Sequence, residues 1–396
     1  MSKYPGNWDI VPLEKVAEII GGGTPSRVNS DFWGNDHFWV TPSEVVALDG
    51  GFVYRSKEKI SDLGLKNSSA KLLPPGTILM TSRASIGYAA IAKTSVSTNQ
   101  GFQSIICGEN LDHLFALHQI RYRKLELQRL AAGSTFSEIS SKNVRSFSVV
   151  VPPLPEQKKI AEILCLIDQK LNAIQIKIDS LDHVYKSMLI DVLKKLSNKS
   201  TDFKLSHACN DVFLGLTSKV DYVEKDGIPL VRATNIINGN IDFVNTRQIT
   251  IKQHQALTKY RQAEVGDILV TKSGSLGECA VVKEKKEFSI YESIVCLKPK
   301  KDLLSTQYLY HVMKSNSVRD QFSKDKVGSA VSHLNLNDFR QIVIPIPSLD
   351  FQVNISNALD SVSNTREKLQ LKLQKINCLK LAMSSDLLSG LKRVKV

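Results

Sequence analysis

One stretch of this chain occurs twice. Residues 133–157 read GSTFSEISSKNVRSFSVVVPPLPEQ, and residues 328–352 read GSAVSHLNLNDFRQIVIPIPSLDFQ. Gly133, Ser134, Ser137, Arg145, Pro152, Leu154 and Gln157 recur as Gly328, Ser329, Ser332, Arg340, Pro347, Leu349 and Gln352, each 195 positions on. A second block, GTILMTSRASIG at Gly76–Gly87, returns as GDILVTKSGSLG at Gly266–Gly277, 190 positions on. Loop insertions between two diverged copies produce such a drift. The period is far longer than the roughly 20–50 residues of a solenoid repeat. The chain therefore holds two similar domains, each closed by its own appendage.

The appendages are helical. After VPPLPEQ, apolar residues fall at Ile160, Leu164, Ile167, Leu171, Ile174, Ile178, Leu181, Tyr185, Met188 and Val192, in steps alternating between 4 and 3. A sustained 3.5-residue period predicts a left-handed coiled coil. The same positions in the second copy are Ile355, Leu359, Val362, Arg366, Leu369, Leu373, Ile376, Lys380, Met383 and Leu387. Two such helices in one chain are expected to pack on each other. The competing reading lays each one along its own domain. Arg366 and Lys380 are costly in a dry seam, so they are expected to reach the rim or face a partner.

The chain has 396 residues, of which 42% are hydrophobic, enough for two cores of ordinary domain size. No run approaches the ~20 apolar residues of a membrane span. The N-terminus lacks the apolar core of a signal peptide, so a cytoplasmic location is expected. Six scattered cysteines without a CxxC pair read as buried reduced thiols. The formal charge of +13 is spread along the chain: +3 over residues 1–154, +2 over 155–199, +4 over 200–349 and +4 over 350–396. A body basic along its length suits a polyanionic duplex, although many cytoplasmic proteins are mildly basic without one.

Local patterns fill in each copy. LPPGTILMTSRASIGYAAIA and VGDILVTKSGSLGECAVV each predict two strands joined by a Gly-bearing hairpin. TNQGFQSIIC and YESIVCL add a strand each. A single helix is predicted over Leu111–Leu130, capped by Asp112, and another over Thr306–Phe322, preceded by Ser305. SFSVVVP and QIVIPIP supply last strands that their prolines should end. The fold class is therefore α+β: two similar, mostly β domains, each followed by a long helix, the helices packing as an antiparallel coiled coil. The expected division is 1–152, 153–199, 200–347 and 348–396, with the second and fourth segments helical.

Catalytic motifs are missing. There is no GxxxxGK[ST] loop, no GxGxxG after a strand, no HExxH and no GxSxG. Neither Pro-Pro pair follows the Asn or Asp that an amino-methyltransferase needs. The nearest approach to a nuclease site is Asp267 with Glu284 and Lys286, and the last two belong to a KEKKE run that reads as a solvated hairpin tip.

Val151–Leu171 (VPPLPEQKKIAEILCLIDQKL), together with GTILMTSRASIG, STNQGF at Ser97–Phe102 and the GST before the last strand, resembles the DNA-specificity subunit of type I restriction–modification systems. The resemblance covers essentially the whole chain. It departs at the second junction, where Asp350 and Phe351 stand in place of Pro155 and Glu156. It implies a non-catalytic subunit in which two target-recognition domains read the halves of an asymmetric, bipartite site in double-stranded DNA. The helices would act as a spacer and dock two methyltransferase subunits. The seam from Ile160 to Val192 would measure about 50 Å at ~1.5 Å per residue, against ~34–36 Å for a turn of B-DNA. Restriction subunits would complete the complex. The resemblance implies no cofactor in this chain and places S-adenosylmethionine, Mg and ATP in the partner subunits.

Sequence is read by side chains on base edges, while phosphate contacts position the protein. The loop-borne candidates are Thr24, Ser26, Arg27, Ser82, Arg83, Ser85, Asn99, Gln100, Ser134 and Thr135 in the first copy. In the second they are Thr217, Ser218, Lys219, Arg232, Asn235, Lys272, Ser273, Ser275, Tyr291, Ser329 and His333. Positions shared by both copies, such as Ser85 with Ser275, suit framework or phosphate roles. Unmatched pairs, Arg83 against Ser273 and Arg27 against Val220, suit specificity. Arg121, Arg123, Lys124 and Arg129 are expected to meet phosphates or to solvate their helix. The alternative function is a coiled-coil scaffold that binds only proteins. A self-sufficient modification or cleavage enzyme would need a cofactor site, and RNA binding would call for an aromatic-studded strand.

Overall fold

A computed structural model describes residues 4–131, 138–196, 201–217, 219–323 and 334–395. The chain divides into two compact units, residues 1–175 with 372–396, and residues 176–371. The two long helices, α1 (Leu154–Leu196) and α2 (Leu349–Leu388), each contribute one half to each unit.

In the first unit, Ala17–Gly21, Phe102–Cys107, Ile78–Thr81, Ala89–Ala92 and Phe52–Val53 lie side by side in one sheet. A second sheet orders Glu58–Ile60, Trp33–Val40 and Val96–Thr98. The second unit repeats the plan. Cys209–Leu214, Ile294–Pro299, Ile268–Thr271 and Cys279–Val281 form one sheet, and Tyr222–Val223, Arg247–Ile249, Ile228–Val231 and Ser289–Ile290 form the other. In both, an antiparallel ribbon leads into the long helix: Asp9–Pro12 with Ser148–Val151, and Thr201–Lys204 with Val343–Ile346.

The repeated residues are those that the shared plan needs. Gly76 and Gly266 have φ of 90° and 95°, and Gly87 and Gly277 have φ of 81° and 79°, a region that side chains other than glycine rarely enter. Gln157 is fully buried; its Oε1 accepts from the Asp112 N–H (2.8 Å), and its Nε2 donates to the carbonyls of Asn110 (2.9 Å) and Pro152 (2.8 Å). Gln352 repeats this on Ser305 (2.8 Å), Leu303 (2.9 Å) and Pro347 (2.8 Å). Arg145 donates to the Ile19 carbonyl and Arg340 to that of Val212, tying the last helical turn to the first strand of the sheet. Each glutamine satisfies three backbone groups where a strand turns into a helix, groups that would otherwise be buried unpaired.

None of the twenty seam positions is exposed. In the first unit Ile160, Leu164 and Leu387 join the domain core, with Ile167 and Met383 packed beside them. In the second, Val192, Leu193 and Ile355 pack on the core that holds Leu196. Within each unit the halves of α1 and α2 run antiparallel, early residues of one beside late residues of the other. The two seam cations are partly exposed, as expected of side chains at the rim, and each meets an aspartate of its own chain. Lys380 is bonded to Asp168, and Arg366 donates to Asp182 at 2.8 Å. Each aspartate follows a seam residue (Ile167, Leu181), so each cation is answered inside its own unit. A partly exposed ionic contact of this kind favours one register more than it adds stability.

Other expectations are corrected. Each domain helix is two helices, His113–Tyr122 with Lys124–Ala131 and Thr306–Met313 with Asn316–Ser323. The first break is at Arg123, whose side chain bonds the Ser148 carbonyl and Glu126. The second is at Ser315, whose hydroxyl accepts from the Val318 N–H and starts a new helix. Asp112 caps through the Phe115 N–H (2.9 Å), but Ser305 makes no side-chain cap, its own N–H being taken by Gln352. Pro345 lies inside its strand rather than ending it. Cys378 is exposed, and Cys107 and Cys165 are half-buried. Among the described residues no helix is long and apolar enough to cross a membrane.

Candidate nucleic-acid interface

In the first unit three loops converge. Gly23 N–H donates to the Thr98 carbonyl (2.8 Å) and Ser82 N–H to that of Gly101 (2.8 Å), while the Thr24 hydroxyl bonds Gln100. Asn99 Oδ1 accepts from the Gly101 N–H at 2.9 Å, closing the loop on itself. The result is an open cleft of about 530 Å³ that brings Arg83, Ser85, Asn99 and Gln100 together, with Pro42 and Val46 also lining it. Arg83 is half exposed and pairs with Glu138 at 2.9 Å. Surface pairs of this kind contribute roughly 0–1 kcal/mol, so the guanidinium can exchange Glu138 for another acceptor. Arg27 lies 3.6 Å over the Trp33 ring and forks onto Glu58 at 2.6 and 2.9 Å. The Glu58 hydrogen bond raises the Arg27 pKa, and Arg27 lowers that of Glu58. Ser26 stands beside it, its carbonyl accepting from the Trp33 indole.

The second unit holds its loops by the same bonds. Leu216 N–H donates to the Ile290 carbonyl (2.8 Å) and Lys272 N–H to that of Ser293 (2.9 Å). Thr217 borders a cleft of about 520 Å³ whose walls include Phe213, Leu257, Tyr260 and Phe288. The carbonyl of Lys219 accepts from Gln253. Ser275 accepts the Thr271 hydroxyl through its carbonyl, as Ser85 does from Thr81, and Ser273 lies on the same hairpin tip. Arg232 opens the turn that Asn235 caps, and Tyr291 has its hydroxyl pKa raised, chiefly by the neighbouring Glu292 charge.

Two candidates are corrected by burial. Ser82 is fully enclosed, and Asn235 is spent on the Arg232 N–H and the Asn245 carbonyl, so both serve the loop framework. Ser134, Thr135, Ser218, Ser329 and His333 lie outside the described residues. Three of the four basic side chains on the first domain's helices are committed internally: Arg121 pairs with Asp168 (3.0 Å), Arg123 with Glu126 (2.7 Å), and Lys124 lies 3.8 Å over the Tyr88 ring, while Arg129 is exposed. The sequence reading missed Ser43, which lines the first cleft, and Glu292, which holds in the second unit's loop the position that Gln100 holds in the first. Setting STNQ beside SIYE would have shown the latter. Asp267 is buried and bonded to Lys298 (2.7 Å) and the Glu264 N–H (2.7 Å). No metal-holding cluster occurs among the described residues.

Two sheet-built units with a common frame, unlike tips and long helices define a modular recognition protein. Residues 5–180 and 214–377 match the family described as the type I restriction modification DNA specificity domain, and the chain belongs to that family. Its members are non-catalytic; in type I systems catalysis lies in other subunits. The specificity subunit of MjaIX from Methanocaldococcus jannaschii is 27% identical over 88% of this chain and 84% of its own length. That of EcoR124I/EcoR124II from Escherichia coli is 31% identical over 41% of each. The crystal structure of a type I S subunit from M. genitalium superposes with a TM-score of 0.62 at 14% identity, covering 96% of both chains. A chain from a study of type I complex assembly and conformational transition gives 0.54 at 17% identity, covering 98% of this chain and 99% of that one.

Proposed function

We propose that this specificity subunit reads an asymmetric, split DNA site, each unit contacting one half, while the helix pair sets the unread spacer and docks two methyltransferase subunits. The carrying observation is the pairing of matching loop frames with unlike loop side chains: Arg83, Asn99 and Gln100 in one unit, Ser273, Tyr291 and Glu292 at the matching places in the other. A scaffold that bound only proteins would have no use for that divergence. The charge of +13 supports a duplex partner. Restriction subunits join the same complex, and the protein works in the cytoplasm, where chromosomal DNA is found. Mapping of methylated adenines in host DNA, with and without this gene, tests the proposal. It should reveal one split motif with two different halves and a middle of fixed length. A palindromic or continuous motif, or none that depends on the gene, would refute it.

A further inference from the structure

The matching loops differ in chemistry as well as in identity. Asn99 and Gln100 lie between Thr98 and Gly101, whose carbonyls hold Gly23 and Ser82. Tyr291 and Glu292 lie between Ile290 and Ser293, whose carbonyls hold Leu216 and Lys272. The second loop is pinned further by a 2.9 Å bond from the Glu292 N–H to the Leu216 carbonyl. So Glu292 occupies the place of Gln100 on an equally fixed backbone, and a carboxylate replaces an amide. The Glu292 carboxylate lies against the Tyr291 hydroxyl and enters no ion pair among the described residues. A carboxylate that no cation among the described residues pairs with, on a loop proposed to meet a polyanion, is repelled by phosphates. Something on the duplex must offset that repulsion by donating to it.

We propose that Glu292 is a specificity-determining residue of the second unit, accepting a hydrogen bond from the 4-amino group of a cytosine in its half-site. The proposal rests on the split-site reading above. An ionised carboxylate only accepts. In the major groove guanine presents two acceptors and thymine one, so both repel it. Adenine sets its amino donor beside the N7 acceptor, whereas cytosine presents a donor alone. Gln100 and Asn99, which both donate and accept, match the adenine edge instead. The two units thus read different bases from one loop geometry.

The test uses the full chain assembled with its methyltransferase subunits, with methylated adenines mapped for wild type, E292A, E292Q and R83A. E292A should relax the motif at a single cytosine position, raising methylation of sites with another base there by roughly tenfold to a hundredfold. E292Q should shift the preference at that position towards adenine. R83A should alter only the other half, which assigns each half to its unit. An unchanged motif in both Glu292 variants, or a change in the same half as R83A, would overturn the proposal. A wild-type motif that is not split would instead overturn the reading on which it stands.

Discussion

The two strand-to-helix junctions are built from one pattern and stabilised by different chemistry. Both bury a glutamine with three backbone bonds. Both place a histidine from the domain helix against the long helices, His118 and His311. There the likeness stops. His118 Nε2 lies 3.4 Å from Cys165 Sγ, while His311, fully buried, bonds Asp360 (2.9 Å) and the Tyr185 hydroxyl (2.8 Å). Beside the first junction Asp168 gathers Arg121 and Lys380; beside the second Asp182 pairs, among the described residues, with Arg366 alone. Glu156 is buried beneath Arg393, whereas Phe351, its counterpart, is exposed. The backbone requirement is common to both junctions, and the same glutamine answers it in each. How the remaining side chains fill the space has drifted.

If that division is correct, the largest effect should come from the shared element and be equal in both units. Gln157→Leu and Gln352→Leu each strip three bonds from buried backbone groups, at about 1–3 kcal/mol for each group left unpaired. Each variant should lose on the order of 3–5 kcal/mol. Hydrogen exchange resolved by unit checks it, with the loss confined to the unit that carries the substitution. A large effect at Gln157 beside a negligible one at Gln352 would break the equivalence.

The histidines sharpen the contrast through pH. Burial pushes the His118 pKa down to about 4, against a partial upward pull from Asp168. Its folded-state pKa is depressed, so its contribution to stability is complete above the unfolded value of ~6.5 and disappears as pH falls through about 4. Over that interval the first unit should lose roughly 3 kcal/mol. His311 is also lowered by burial, but Asp360 opposes the shift by both charge and hydrogen bond. The second unit should therefore lose less over the same range. Urea unfolding followed by unit-resolved hydrogen exchange at pH 7, 5.5 and 4.5 measures both slopes. His118→Gln should flatten the first and leave the second unchanged.

What the sequence revealed follows the same division. The repeat, the ten-position seam and the strand pairs were legible because backbone demands impose fixed spacings: a 3.5-residue period, glycine where φ is positive, glutamine where a strand becomes a helix. The domain helices were read as single because Arg123 and Ser315 interrupt them through side-chain bonds that leave no period. The partners of Lys380 and Arg366 were hidden because Asp168 and Asp182 sit one residue off the seam and some two hundred positions away. Loop readers were legible as polar residues, but their burial was not. Ser82 and Asn235 look like Ser85 and Asn99 until neighbouring strands close over them.

The smallest expected effect concerns the contact that only the first junction has. Glu156 accepts from Arg393 at 2.6 and 2.7 Å and from the Trp8 indole at 3.1 Å, while Arg393 also donates to Asn7 at 3.0 Å. Gly390, at φ 74°, turns the chain beside Pro5 and Trp8, so the C-terminal tail lies across the N-terminal segment and the start of α1. In the second unit the corresponding connection is covalent, since Leu196, the last residue of α1, and Thr201, the first of the next strand, belong to one continuous stretch of sequence. The tail therefore does by side-chain contact in one unit what the chain does by continuity in the other. Arg393 is on the surface and its loss should be mild. R393A should lower the Tm of the first unit by about 2–4 °C and spare the second. Glu156→Phe, which installs the residue of the other repeat, should do more, because it also leaves the Trp8 N–H unpaired. If E156F in an R393A background costs as much as it does alone, the two residues are not coupled and the tail is not what closes the first unit.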